Sequence, residues 1–215
     1  MKKYKDIVLG VGFMVLLFVG IFMLASFSEN SFSPVVSLSN TAPLKEWFTG
    51  NVDAPVALVE YSDYECPACA AYNPIVKQLL QDFPNQIKLS YRNFPLSQHK
   101  NAISSASAAE AAGNQGKFWE MHDLLLENQT TWSESSDAVS IFEGYASTLG
   151  LDMNKFKSDV QSKEVSDKIE RDYQTGVESQ IQSTPSFFIN GKKMNPPKNY
   201  DEFKTNIANA LATKS

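Results

Sequence analysis

The sequence predicts an α/β domain that opens βαβ, runs through roughly 80 helical residues and closes ββα. Three observations carry this. An apolar, β-prone run (residues 56–61) leads into a proline-led helix and then a period-two segment (87–94). Helical spacings dominate from about 98 to 181. After residue 184 the period returns to two around Asn190-Gly191.

Val56-Ala57-Leu58-Val59-Glu60-Tyr61 follows Pro55 and reads as a buried strand. Pro67 suits the first turn of a helix, where its missing N–H costs nothing, and Ile75, Val76, Leu79 and Leu80 carry that stripe to about Gln81. Alternation in Ile87-Lys88-Leu89-Ser90-Tyr91-Arg92-Asn93-Phe94 marks a second strand. Ala102, Ala106, Ala109 and Gly113 then form a small-residue stripe that permits close helix packing. Phe118, Met121, His122 and Leu125 give one helix; Ala138, Ile141, Phe142, Tyr145 and Leu149 give another, closed by Gly150 as a C-cap. Shorter stripes follow at Met153, Phe156 and Val160, and at Val165, Ile169, Tyr173, Val177 and Ile181. Pro185-Ser186-Phe187-Phe188-Ile189 reads as a strand, Asn190-Gly191 as a hairpin turn, and Tyr200, Phe203, Ile207 and Leu211 as a closing helix.

Ahead of this domain, residues 7–27 form a 21-residue run without a charge. At about 1.5 Å per residue it spans roughly 31 Å, enough for a bilayer core. It exceeds the apolar stretch of an ordinary signal peptide, and Leu24-Ala25-Ser26-Phe27-Ser28 is a poor cleavage site. The expected organisation is a cytoplasmic N-terminus (1–6), a transmembrane anchor (7–27), a Ser-, Asn- and Pro-rich linker (28–43) and a folded domain (44–215). A cleaved signal segment is the alternative. Lys2, Lys3 and Lys5 before the run place the N-terminus in the cytoplasm and the domain outside, attached to the cell membrane.

The net charge is −5, and beyond the first six residues 16 basic and 23 acidic side chains leave −7, which excludes a nucleic-acid partner. The chain has two cysteines, Cys66 and Cys69. At i and i+3 on a helix N-terminus they face one another across a turn. The unpaired N–H groups and the dipole there favour a thiolate at Cys66, the more accessible of the two. A zinc site needs four ligands, and this chain has no second pair; His99 and His122 stand 23 apart. A two-thiolate soft-metal site or an inert pair stay as alternatives, but no metal is expected. His122 reads as a hydrogen-bonded core residue, His99 as a helix start, and Trp119 and Trp132 as packing.

Val59-Glu60-Tyr61-Ser62-Asp63-Tyr64-Glu65-Cys66-Pro67-Ala68-Cys69 resembles the active-site strand and helix start of the DsbA-like thiol–disulfide oxidoreductases, with the flavour of the membrane-anchored BdbD-type branch. Tyr91-Arg92-Asn93-Phe94-Pro95-Leu96, Gly116-Lys117-Phe118-Trp119-Glu120-Met121-His122-Asp123 and Thr184-Pro185-Ser186-Phe187-Phe188-Ile189-Asn190-Gly191 are similar to the same branch, and the resemblance covers about 51–212.

The resemblance implies a thioredoxin fold with a helical insertion, Cys66 and Cys69 as the redox pair, and no cofactor beyond their disulfide. It implies a cis bond before Pro185, with Thr184 pairing with an extended substrate beside Pro67 and Ala68. Glu60 matches a buried acidic residue that relays a proton to or from Cys69, although period two alone leaves open whether it is buried. Ala68 departs from the best-known pattern, which has histidine there, and this lowers the expected oxidising strength. Some anchored relatives hold calcium, yet no Asp-rich EF-hand loop occurs here. The expected partners are exported proteins with free cysteines and a membrane quinone-linked reoxidase of DsbB or VKOR type. A reductase or isomerase on the same centre, and a metal- or peptide-binding module, are the alternatives.

Overall fold

The structure is a computed structural model that describes residues 37–39 and 45–213. The expected anchor (7–27), the N-terminus before it and most of the linker lie outside the described residues. Among the described residues, no helix is long and apolar enough to cross a membrane.

Five strands form one mixed sheet in the order β1-β3-β2-β4-β5: β1 (Trp47–Gly50), β2 (Val56–Ser62), β3 (Ile87–Asn93), β4 (Ser186–Ile189) and β5 (Lys192–Lys193). β2 and β3 run parallel, joined by helix α1 (Pro67–Asp82), and the other pairs are antiparallel. The central strands are buried on both faces, so their sequences are nearly continuous apolar runs. Val56 and Leu58 pack with Leu79 of α1 and with Phe203 and Ile207 of the closing helix, α8 (Tyr200–Ala212). On the other face Val59 and Tyr61 meet Phe94, Phe188 and Tyr173.

Six helices fill the insertion: α2 (Ala102–Gly113), α3 (Phe118–Glu127), α4 (Gln129–Trp132), α5 (Ala138–Thr148), α6 (Met153–Val160) and α7 (Lys163–Glu178). The alanine stripe of α2 is buried, so α2 forms the axis around which the others pack. Gly150 stands just past α5 at φ +71, and the Leu151 N–H reaches back to the Ala146 carbonyl, the left-handed cap expected there.

Several elements differ from the sequence reading. Strand β1 was not expected; four residues ending in glycine are too short to show a period. The same holds for α4. Helix α2 starts at Ala102 with Asn101 at its N-cap, so His99 lies in the turn before it rather than opening it. Val177, expected on the buried stripe of α7, is 49% exposed: in the last turn the buried face is carried by Thr175 and Gly176, and Val177 points to the opposite side. Within the expected linker, Ser37 pairs with Lys192, and the Leu38 N–H donates to the Gly191 carbonyl at 2.8 Å. Residues 37–39 therefore lie along the sheet edge.

Candidate active site

Cys66 is the N-cap of α1, in extended conformation (φ −74°, ψ 120°), with Pro67 next. Its N–H donates to the Asp63 carbonyl at 3.1 Å, which bends the chain from β2 into the helix. Pro67 and Ala68 form an exposed lip, whereas Cys69, one turn deeper, has no exposed surface. Both cysteines are free thiols. Cys66 is only 8% exposed, less than its place at the helix end suggested, because the loop before β4 lies over it.

That loop carries the Thr184-Pro185 peptide bond, which is cis. The Cys66 thiol donates to the Thr184 carbonyl at 3.5 Å. The Thr184 hydroxyl is buried without another partner, and it can donate to the Cys66 sulfur as a thiolate. Proline at 185 offers no N–H to compete for the sulfur.

The two sulfurs differ in electrostatics. The Cys66 thiolate takes a hydrogen bond from the Cys69 thiol. With Thr184 and the backbone N–H groups of Cys69 and Ala68, this outweighs burial and lowers the pKa to about 5. Cys69 moves the other way: burial pushes it well up, and the neighbouring Cys66 sulfur and Glu60 add to the rise. The Asp63 N–H points at the Cys69 sulfur at 3.5 Å, a donor suited to a transient thiolate.

Glu60 lies on the β2 face that also bears Val56 and Leu58, directly opposite Tyr91 of β3 and Phe187 of β4. It is 5% exposed, so the question left open by period two resolves to burial. Desolvation raises its carboxyl to about 7, against the opposing pull of the Ser62 hydroxyl. A carboxyl of that pKa beside Cys69 can hold or give up a proton near neutrality. Behind Tyr91, buried His122 shares a 3.2 Å hydrogen bond between Nδ1 and the Tyr64 hydroxyl, and burial lowers its pKa to about 3. It is a core residue, as its helical stripe implied. Trp132 is fully buried, and Trp119 packs against His122.

The structure thus brings Cys66, Cys69, Thr184, Pro185 and Glu60 together, with Pro67 and Ala68 on the rim. It also shows a loop scaffold that the sequence reading missed. Asp63 is buried, and its Oδ1 accepts the Glu65 N–H at 2.8 Å. Its Oδ2 accepts the Leu96 N–H at 2.8 Å and His99 Nδ1–H at 2.7 Å. Glu65 accepts the Asn101 N–H. Gln129 donates to the carbonyls of Tyr64 (2.6 Å) and Cys66 (2.9 Å). An aspartate closing an Asx-turn directly after a strand was the one local signal available. The distant partners of Asp63 lie 33 and 36 positions away, and Gln129 lies 65 from Tyr64; none of these left a local signal. Among the described residues, no group of three or more His, Cys, Asp or Glu side chains could hold a metal ion.

Known proteins place this architecture. A family profile described as thioredoxin matches residues 43–209. The crystal structure of oxidised BdbD from Bacillus subtilis aligns with a TM-score of 0.71 and 26% identity, covering 83% of this chain and 98% of that one. A thioredoxin-like oxidoreductase from Silicibacter pomeroyi DSS-3 aligns with a TM-score of 0.66 and 26% identity, covering 79% and 93%. In sequence, the chain is 39% identical over 171 residues to Na(+)/H(+) antiporter NhaA 1 of Salinispora arenicola, covering 79% of this chain and 25% of the antiporter. The chain spans about a quarter of the length of the curated relatives it matches, so the match concerns this domain and not antiport. With its CxxC helix, its cis-proline loop and these relatives, the chain belongs to the thioredoxin family, among the DsbA-like thiol–disulfide oxidoreductases.

Proposed function

We propose that the protein is an extracytoplasmic thiol oxidase, held at the cell membrane by residues 7–27, that passes the Cys66–Cys69 disulfide to exported proteins with free cysteines. A membrane quinone-linked partner of DsbB or VKOR type restores the disulfide, which is the redox group; no other cofactor takes part.

The observation that carries this reading is the depressed thiolate at Cys66 beside the raised Cys69. A thiol whose pKa falls from 9.0 to about 5 is ionised at pH 7. The dithiol form then gains about two decades of stability over the disulfide, roughly 60 mV in the oxidising direction.

Chemically, a substrate thiolate attacks the Cys66 sulfur, the S–S bond breaks, and Cys69 leaves as a thiolate that takes the Glu60 proton. A second substrate thiolate then attacks the substrate sulfur of the mixed disulfide and expels the Cys66 thiolate. The substrate loses two electrons and gains a disulfide; the enzyme ends as thiolate and thiol. Thr184 backbone groups and the flat Pro67-Ala68 lip suit an extended substrate segment. Ala68 in place of histidine favours the second reading, a reductase or isomerase on the same centre.

Equilibration of the chain with glutathione buffers, read by thiol alkylation, separates the two. A two-electron couple near or above about −180 mV is expected for the oxidase, whereas a couple near about −270 mV identifies a reductase.

A further inference from the structure

The loop before Cys66 is fastened by its two carboxylates to one short segment, residues 96–101, the stretch that leads from β3 into the insertion. Asp63 takes two donors from that segment, the Leu96 N–H and the His99 imidazole, at 2.8 and 2.7 Å. Glu65 takes a third, the Asn101 N–H. Asn101 is itself tied down, its side-chain amide donating to the carbonyls of Trp132, Ser133 and Ser135 at 3.0–3.3 Å.

Asp63 is also the residue whose backbone addresses both cysteines. Its carbonyl accepts the Cys66 N–H, and its N–H faces the Cys69 sulfur. A carboxylate with no exposed surface cannot turn to water for its hydrogen bonds. Its orientation, and with it that of the peptide groups on either side, is set by the donors it receives. Two of them are backbone N–H groups fixed by the fold; the third is the side chain of His99, 18% exposed and bordering an open groove of about 500 Å³.

We propose that His99 and Asp63 are positioning residues for thiol–disulfide exchange: His99 fixes the Asp63 carboxylate, which holds the Asp63 N–H on the sulfur of Cys69 as that sulfur leaves. No bond forms or breaks at either residue. Their contribution is a donor already in place when the Cys66–Cys69 bond cleaves and negative charge arrives on Cys69. This rests only on the exchange chemistry of the pair, and holds whether the chain works as an oxidase or as a reductase.

The test is the rate at which dithiothreitol reduces the Cys66–Cys69 disulfide of the full chain, for wild type, His99→Ala, His99→Asn and Asp63→Asn. The ultraviolet absorbance of the thiolates is followed against pH in the same samples, and urea denaturation is measured alongside. His99→Ala is expected to slow reduction about tenfold, the size of partly losing one charge-assisted donor. His99→Asn, whose amide can stand where Nδ1–H stood, recovers most of that rate. In an Asp63→Asn background, His99→Ala has little further effect. The idea is overturned if His99→Ala lowers stability yet reacts at the wild-type rate with an unshifted thiolate titration. It is equally overturned if His99→Asn is as slow as His99→Ala, or if the effects of His99→Ala and Asp63→Asn multiply. Because His99 is partly exposed, its variants stay readable even if Asp63→Asn does not fold.

Discussion

Glu60 illustrates how burial turns an ordinary side chain into a proton donor. Its folded pKa of about 7 lies above the ordinary glutamate value of 4.5, so the folded state holds the proton more tightly than the unfolded chain. The stability this gives is complete below pH 4.5 and is lost as pH rises through about 7, by about 3 kcal/mol. Glu60→Gln removes that dependence. The variant is therefore expected to gain on wild type in urea denaturation at pH 8 and to show little advantage at pH 4.5. It should also exchange disulfides more slowly, having lost the proton for Cys69. An equal stability difference at both pH values would show that Glu60 does not titrate in this window. In the sequence, this residue's type was legible but its environment was not. Cys66, Cys69 and Pro67 were legible because their spacing is local to one helical turn.

At the scale of elements, the amphipathic stripes were readable where a helix packs by one face, and unreadable where packing depends on an absent side chain. Gly176 in α7 shows this. A Cβ there would stand 2.5 Å from Cδ2 of Phe94 and 3.2 Å from Tyr61, so α7 approaches the sheet closely because residue 176 is glycine. Alanine would return up to about 1 kcal/mol of helix propensity. Forcing Phe94 aside costs about 1–3 kcal/mol, which is larger. Gly176→Ala should therefore lower stability by about 1–2 kcal/mol in chemical denaturation. A neutral or stabilising result would mean that Phe94 swings away freely. Nothing in the local sequence distinguishes this glycine from Gly144, whose Cβ would meet nothing within 4 Å.

Across the whole molecule, the insertion is joined to the sheet through a buried charged cluster. Lys168 of α7 lies 2.5 Å from Asp172 and 3.5 Å from Glu110 of α2, and all three side chains are nearly inaccessible. Asn93, the last residue of β3, donates through its side-chain amide to both carboxylates, and Trp47 of β1 donates to Glu110 at 2.7 Å. Burial raises Asp172 to about 6, with Lys168 opposing it. Lys168→Met keeps the length of the side chain and leaves two buried carboxylates without their cation. A loss of about 3–5 kcal/mol is expected at pH 8. The loss should shrink at pH 5, where Asp172 takes up a proton and no longer needs a counter-charge. A pH-independent loss would mean that Lys168 contributes packing alone.

The sequence by itself determined the βαβ opening, the longer helices of the insertion, the closing ββα, the CxxC pair and the family, because each rests on period, spacing or a motif contained within a dozen residues; β1 and α4 were too short to show a period. The tertiary structure decided what lies across the fold from those residues. It buried Glu60, laid Thr184-Pro185 over Cys66, and turned Asp63, Glu65, His99, Asn101 and Gln129 into a scaffold for the loop before the cysteines. Side-chain hydrogen bonds between positions some 30 to 130 apart have no period and no spacing rule. They exist only once the sheet and the insertion have brought the chain back on itself.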